Sequence, residues 1–250
     1  MNIRRHGRTD QRGFTLAELL VVIAVIGVIM IGILTLLMTG NQSYLTGANQ
    51  AEAQAAARAA LERITLDMRE AGYGPLTDQN CNPPTPPAFC FNAVVNPTNT
   101  AFTLQSDWNG SGAIQPGVVV QLSYCFGGPC PPAAFTNVNR GEQITYSLAG
   151  GNLQRQESGV DAQAQILITG VQQVAVGLDC GGALIANPAI FQYCDANGQA
   201  VANPGATPEQ IRMIVVNMRV GVQNQPPAIW QAGAISVTMS DRIRLRNRLQ

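Results

Sequence analysis

Lysine is absent from this 250-residue chain, and all fifteen basic residues are Arg. That excludes Lys-centred chemistry such as a Schiff base or a P-loop. Histidine is nearly absent as well, His6 being the only one, which argues against a Ser-His-Asp triad, a His-ligated zinc site or a His general base. Charged residues are scarce at 12%, against the ~25% usual for soluble proteins. The formal charge is zero, so no basic excess points to nucleic acid. Proline is missing before Pro75 and cysteine before Cys81. Apolar residues, by contrast, are abundant at 46%, too many for a disordered chain.

These absences divide the chain. From Met1 to Gly74 nothing forbids a continuous helix, whereas beyond Pro75 proline and glycine punctuate short apolar runs. The boundary falls at Gly72-Tyr73-Gly74-Pro75, where glycine can end a helix and proline forbids its resumption. The pattern gives a short leader, one long helix, and a β-rich domain of about 175 residues, enough for a core of its own.

The leader carries Arg4, Arg5, Arg8 and Arg12 against Asp10. Leu19 to Met38 then runs without a charge, with Thr35 the only hydrogen-bonding side chain. At a 1.5 Å rise these twenty residues reach roughly 30 Å, one hydrocarbon thickness. The Arg-rich side stays cytoplasmic, which sends the C-terminal domain outward. A buried core helix and a cleaved secretory signal are the alternatives. The run is long for the first, and Leu36-Leu37-Met38-Thr39-Gly40-Asn41 is a poor small-x-small site for the second.

After Met38 the helix turns amphipathic. Ala53, Ala57, Ala60, Leu61, Ile64, Met68 and Ala71 recur at three- and four-residue steps and make one apolar stripe. Arg58 with Glu62 and Arg63 with Asp67 have i,i+4 spacing, read as ion pairs on the exposed side. Beyond Pro75 the period is two. Strands are expected at Val118–Tyr124, at Ile144, Tyr146 and Leu148, at Val174, Val176 and Leu178, and from Ile214 to Val222. Ala149-Gly150-Gly151-Asn152 turns the chain into Leu153-Gln154-Arg155 as a hairpin. Arg242, Arg244, Arg246 and Arg248 fall on one face of a last strand. Antiparallel sheet packed on the second half of the helix is the economical α+β architecture.

Glu18 is the anomaly of the apolar segment. One carboxylate near the start of a membrane helix is costly unless it is paired or sits near the headgroups. It can complement the helix N-terminal dipole, or it can await a cationic partner in an assembly. Cleavage after Gly13 would supply such a partner, the new α-amine of Phe14 on a neighbouring subunit.

Arg12-Gly13-Phe14-Thr15-Leu16-Ala17-Glu18-Leu19-Leu20, with the apolar run after it, resembles the class III signal of the type IV pilin and type II secretion pseudopilin superfamily. The resemblance implies a type IV pilin-like fold in three parts. Residues 1–13 are a cleaved cytoplasmic leader, 14–72 the N-terminal helix (transmembrane over about 14–38), and 73–250 a periplasmic or extracellular domain. It implies that a prepilin peptidase cuts Gly13–Phe14 and that Phe14 is N-methylated. Glu18, fifth in the mature chain, would pair with a neighbour's N-terminus. Ala17 stands where Ile or Val is commoner. Leu66-Asp67-Met68-Arg69-Glu70-Ala71-Gly72-Tyr73, the central hairpin, Ile166–Val171 and Leu245-Arg246-Asn247-Arg248 are similar to the minor pilin family PilW and its secretion cousin, pseudopilin J. The resemblance thus implies a structural subunit rather than an enzyme, with no cofactor and no metal. It would sit in the inner membrane and then in a pilus near the tip. Its partners would be other minor pilins, the major pilin and a tip adhesin, with no specific nucleic acid. A type II secretion role, a tip adhesin or DNA-uptake receptor, and a membrane-anchored periplasmic enzyme are the rival readings.

Cys81, Cys90, Cys125, Cys130, Cys180 and Cys194 all lie in the domain expected outside the cytoplasm, where six cysteines allow fifteen connectivities. Sequence-local pairing gives Cys81–Cys90, Cys125–Cys130 and Cys180–Cys194. A metal site is poorly supported, because the chain has no C-x-x-C spacing and no His after the leader. The C-terminal Arg row reads first as edge protection and second as a docking strip for an acidic partner or phosphates.

Processing gives the first test. Mass spectrometry of the membrane-bound protein is expected to find a chain starting at N-methyl-Phe14. Loss of Arg4, Arg5, Arg8, Arg12 and Asp10 leaves eleven basic and fourteen acidic residues, a formal charge of −3. An intact Met1 terminus in cells with active prepilin peptidase overturns the resemblance.

Overall fold

A computed structural model describes residues 15–74, 91–109, 111, 114–123, 135–221 and 236–245. The chain forms two compact units, Met1–Ala48 and Asn49–Gln250. One helix, α1 (Leu16–Glu70), contributes to both.

In the first unit the helix is exposed on every side through the apolar run. Its length and composition are sufficient to cross a membrane. Two of its hydroxyls are satisfied internally: Thr35 donates to the Ile31 carbonyl at 2.8 Å and Thr39 to the Thr35 carbonyl at 2.9 Å. Backbone and hydroxyl groups satisfied this way suit a medium without water.

In the second unit the helix is amphipathic, and its stripe is the floor of the core. Ala53, Ala57, Ala60, Leu61, Ile64, Met68 and Ala71 are all buried. Four of these seven are Ala, so the sheet backbone can approach the helix closely. Gly72, at φ 77, ends the helix in the left-handed region, and its N–H bonds the Gln105 carbonyl at 2.7 Å.

Two antiparallel sheets share this core. The first comprises β1 (Val94–Val95), β2 (Ala101–Gln105), β5 (Gln143–Ala149), β6 (Asn152–Glu157) and β7 (Gln165–Ile168) in that spatial order. Between β2 and β5 in sequence, β3 (Val118–Ser123) and β4 (Phe135–Arg140) pair with each other as a separate ribbon. The β5–β6 hairpin turns on Gly150 and Gly151, at φ 58 and 76, the pair of left-handed residues that a two-residue turn requires. The second sheet is built on β12 (Met213–Gly221), with β13 (Ser236–Arg244) along one side. The other side is shared by β11 (Phe191–Cys194) and β8 (Val171–Gln172). A small hairpin of β9 (Val176–Leu178) and β10 (Leu184–Ala186) completes the strands. Phe102 joins the sheets: it stacks on Tyr146 at 5.3 Å and meets Phe191 edge-on at 4.9 Å.

The architecture is α+β, a long N-terminal helix, apolar in its first half, whose second half packs on antiparallel sheet. Three details differ from the expectation of simple periodicity. Val176 does not share the burial of Val174: it is 52% exposed while Gly177 is buried, because β9 turns its glycine inward against Asn217. β12 is buried on both faces, with Ile214, Val216, Met218 and Val220 in the main core and Met213 and Val215 in a smaller one with Cys180 and Cys194. The C-terminal Arg row is in part structural. Arg242 donates to the Cys180 carbonyl at 2.7 Å, and Arg244 is exposed. Arg246 and Arg248 lie outside the described residues.

Candidate assembly site

The carboxylate singled out in the sequence sits at the first turn of α1. Thr15 precedes the helix, and its carbonyl accepts the first helical bond, from Leu19 N–H at 3.2 Å. Glu18 Oε2 accepts from the Thr15 backbone N–H at 2.9 Å and from its hydroxyl at 3.0 Å, while Glu18 N–H donates to Thr15 Oγ1 at 3.3 Å. This is a capping box, in which Thr and Glu three residues apart satisfy each other's free donors. Within one chain Glu18 is thus not a bare charge: it terminates the helix and complements its positive end. The signal, Thr15-x-x-Glu18, is local and present in the sequence, although the charge of Glu18 alone does not point to Thr15. Gly13 and Phe14 lie outside the described residues.

The second unit carries a buried ionic cluster that periodicity alone does not reveal. The i,i+4 spacing predicts Asp67 on the exposed side in a pair with Arg63. The pair exists at 3.2 Å, but Asp67 is only 3% exposed. Its Oδ2 accepts from Tyr146 OH at 2.6 Å and from Arg155 Nε at 2.7 Å. Helical geometry explains the correction, since Asp67 lies three residues past Ile64 and beside Met68, at the edge of the apolar stripe. Among the described residues Arg58 and Glu62 form no ion pair.

Arg155 stands directly opposite Tyr146 on β6 and extends the cluster. It reaches Glu157 at 2.8 Å and Asp161 at 3.5 Å. Glu157 in turn accepts the Gly141 N–H at 2.7 Å, and Arg140 bridges toward it at 3.9 Å while bonding Glu70 at 2.6 Å. The Arg140 guanidinium lies 4.2 Å from the Trp108 ring, which stacks on Tyr73.

Burial pushes the Tyr146 hydroxyl above its ordinary pKa, helped by the Asp67 charge. Burial opposes the charge on Arg155, but hydrogen bonds to Asp67 and Glu157 outweigh it and raise its pKa. Glu157 follows the same logic in reverse. Burial raises it, yet the Gly141 N–H and the Arg155 cation prevail and hold it below the usual carboxylate range. The cluster is a structural clasp between helix and sheet. Among the described residues no group of His, Cys, Asp and Glu is arranged to hold a metal. Of the six cysteines, Cys180 and Cys194 are bonded to each other; Cys81, Cys90, Cys125 and Cys130 lie outside the described residues.

A further buried carboxylate, apart from the cluster, gathers backbone N–H groups. Glu142 is 1% exposed, and its oxygens accept the backbone N–H groups of Trp108 at 3.0 Å, Asn109 at 3.5 Å and Gln115 at 2.7 Å.

Removing one member of the clasp leaves buried charge uncompensated. Arg155→Met is expected to destabilise the second unit by about 3–5 kcal/mol, read by denaturant unfolding of the full chain in detergent. The pH dependence has a definite sign. The folded pKa of Glu157 is depressed, so its stabilisation is complete above the ordinary carboxylate range. It is lost as pH falls through the lower, folded value. Glu157→Gln should therefore flatten the acid limb of stability below the ordinary carboxylate range. An acid limb identical to that of the unsubstituted chain would show that Glu157 titrates alike folded and unfolded.

Residues 8–34 match the family model described as the prokaryotic N-terminal methylation motif. No curated protein and no solved structure matches the chain. The motif covers the end of the Arg-rich leader from Arg8, the Thr15–Glu18 capping box and the first part of the exposed apolar helix. Together with the α+β fold, that match supports a structural subunit of the type IV pilin or pseudopilin kind, anchored by its N-terminal helix.

Proposed function

We propose that the chain is a minor pilin. A prepilin peptidase removes residues 1–13 at Gly13–Phe14, and Phe14 is methylated. Residues 14–38 hold the protein in the inner membrane with residues 73–250 in the periplasm. The subunit then enters a short complex with other minor pilins and the major pilin, priming or capping a pilus near its tip. Its work is assembly.

One observation carries this reading. The methylation motif is joined to a helix that is apolar and exposed throughout its first half yet keeps one carboxylate. Such a face must be covered by lipid or by like helices. A pure anchor gains nothing from Glu18 beyond a helix cap, whereas an assembling helix can exchange the cap for a neighbour's Phe14 amine. The pilus reading over the secretion reading rests on the long Cys- and Pro-rich stretches after Pro75. A DNA-uptake role is the weaker alternative, because Arg242 and Arg219 are spent on the carbonyl of Cys180 and the hydroxyl of Ser236.

The capping box supplies a control. Thr15→Val breaks the cap, at a cost of about 1 kcal/mol, but keeps the carboxylate. Glu18→Ala removes both. Both variants should be cleaved and retained in the membrane. Glu18→Ala should sharply reduce surface pili and co-purification with other minor pilins, and Thr15→Val should reduce them much less. Equal piliation in the two variants, at normal protein level and normal cleavage, would mean that Glu18 is a helix cap and nothing more.

A further inference from the structure

The β9–β10 hairpin lies on the face of the second sheet opposite the main core, and each of three strands holds it there. From β11, Cys194 is bonded to Cys180, with Cα atoms 5.6 Å apart, and Gln192 Nε2 donates to the Leu178 carbonyl at 3.3 Å. From β12, the fully buried Asn217 side chain accepts from Leu178 N–H at 2.8 Å and donates to the Leu178 carbonyl at 2.9 Å. From β13, Arg242 reaches across its neighbour Val215 to the carbonyls of Cys180 at 2.7 Å and Gly181 at 3.3 Å. The disulfide is therefore gripped on both flanks of β12. Cys194 takes the sulfur of Cys180, and Arg242 takes its carbonyl.

We propose that β13 is a strap, latched by Arg242, that seals the Cys180–Cys194 bond. The pair is made before β13 docks and does not exchange afterwards. Three observations support this. First, Cys180 is 3% exposed and Cys194 0%, packed with Met213 and Val215 under Leu178. Second, Arg242 has no carboxylate within ion-pair distance among the described residues, and its Nε is buried with no hydrogen-bond partner there. A guanidinium held at that cost is explained by the two carbonyls it holds. Third, the turn is shaped to receive it. Gly182 sits at φ +90, and a Cβ there would stand 2.6 Å from Arg242 Nη1.

The chemistry sets the order of events. To form the bond, a thiolate of the pair attacks an external disulfide and expels one thiol, giving a mixed disulfide. The second thiolate displaces the other, so two electrons and two protons leave the pair and the external disulfide departs as two thiols. Each displacement, in either direction, needs in-line access to a sulfur. With β13 latched that access is closed. The chain carries four further cysteines, so sealing one pair early removes it from the fifteen possible connectivities. The seal requires only an oxidising compartment and stands apart from the pilin assignment.

The test uses the full-length oxidised chain in detergent, exposed to a small-molecule dithiol. Differential alkylation and peptide mass spectrometry read the state of Cys180 and Cys194. Under native conditions reduction should be slower than in denaturant by about a hundredfold or more, because it must wait for local opening. Arg242→Ala should speed native reduction by about tenfold or more through easier opening, while Arg244→Ala, on the same strand but exposed, should leave the rate unchanged. A native rate equal to the denatured rate in the unsubstituted chain overturns the seal, whether or not Arg242→Ala folds. Equal rates for Arg242→Ala and Arg244→Ala overturn the latch.

Discussion

Asp67 is a full negative charge set in the seam between a helix and a sheet, and the second unit is arranged to make that position tolerable. Three donors from three places converge on it: Arg63 one turn earlier on α1, Tyr146 from β5 and Arg155 from β6. Unpaired burial of such a charge costs several kcal/mol, which these donors offset. The convergence fixes the rotation of the helix about its axis and its position along the strands. The ionic cluster ties the helix to β5 and β6, while the hydrophobic contacts supply the bulk of the burial.

The same helix answers to a second solvent in its first half. There the backbone closes on itself, the hydroxyls of Thr35 and Thr39 bond carbonyls four residues back, and the capping box completes the first turn. These polar groups are satisfied along the sides of the segment, which is the condition for contact with hydrocarbon or with other apolar helices. One continuous element thus meets two environments because its residue composition changes near its middle, not because its backbone does.

Much of this is legible in the sequence. The seven stripe residues, the Gly150-Gly151 hairpin, the long strand through Ile214 and Val220 and the helix stop at Gly72 stem from periodicity and turn chemistry, which are local. The features that escape such reading depend on long-range contact. Asp67 reads as an ordinary helix-surface acid until Arg155, far along the chain, is placed opposite it. Arg242 reads as one of a row until the Cys180 turn is brought beneath it. Val176 obeys the alternation of its neighbours, yet the close approach of Asn217 demands glycine on the inward side. The helix start is a different case: Thr15-x-x-Glu18 is a local signal, but the carboxylate's charge obscures its role as a cap.

The backbone at Trp108, Asn109 and Gln115 is held by a carboxylate from another part of the chain. Glu142, just before β5, gathers these three backbone N–H groups. Backbone groups are common to nearly every residue type, so these three contacts with Glu142 do not depend on the side chains of Trp108, Asn109 and Gln115. Those three positions could therefore change side chain and still be held, so long as the glutamate is kept.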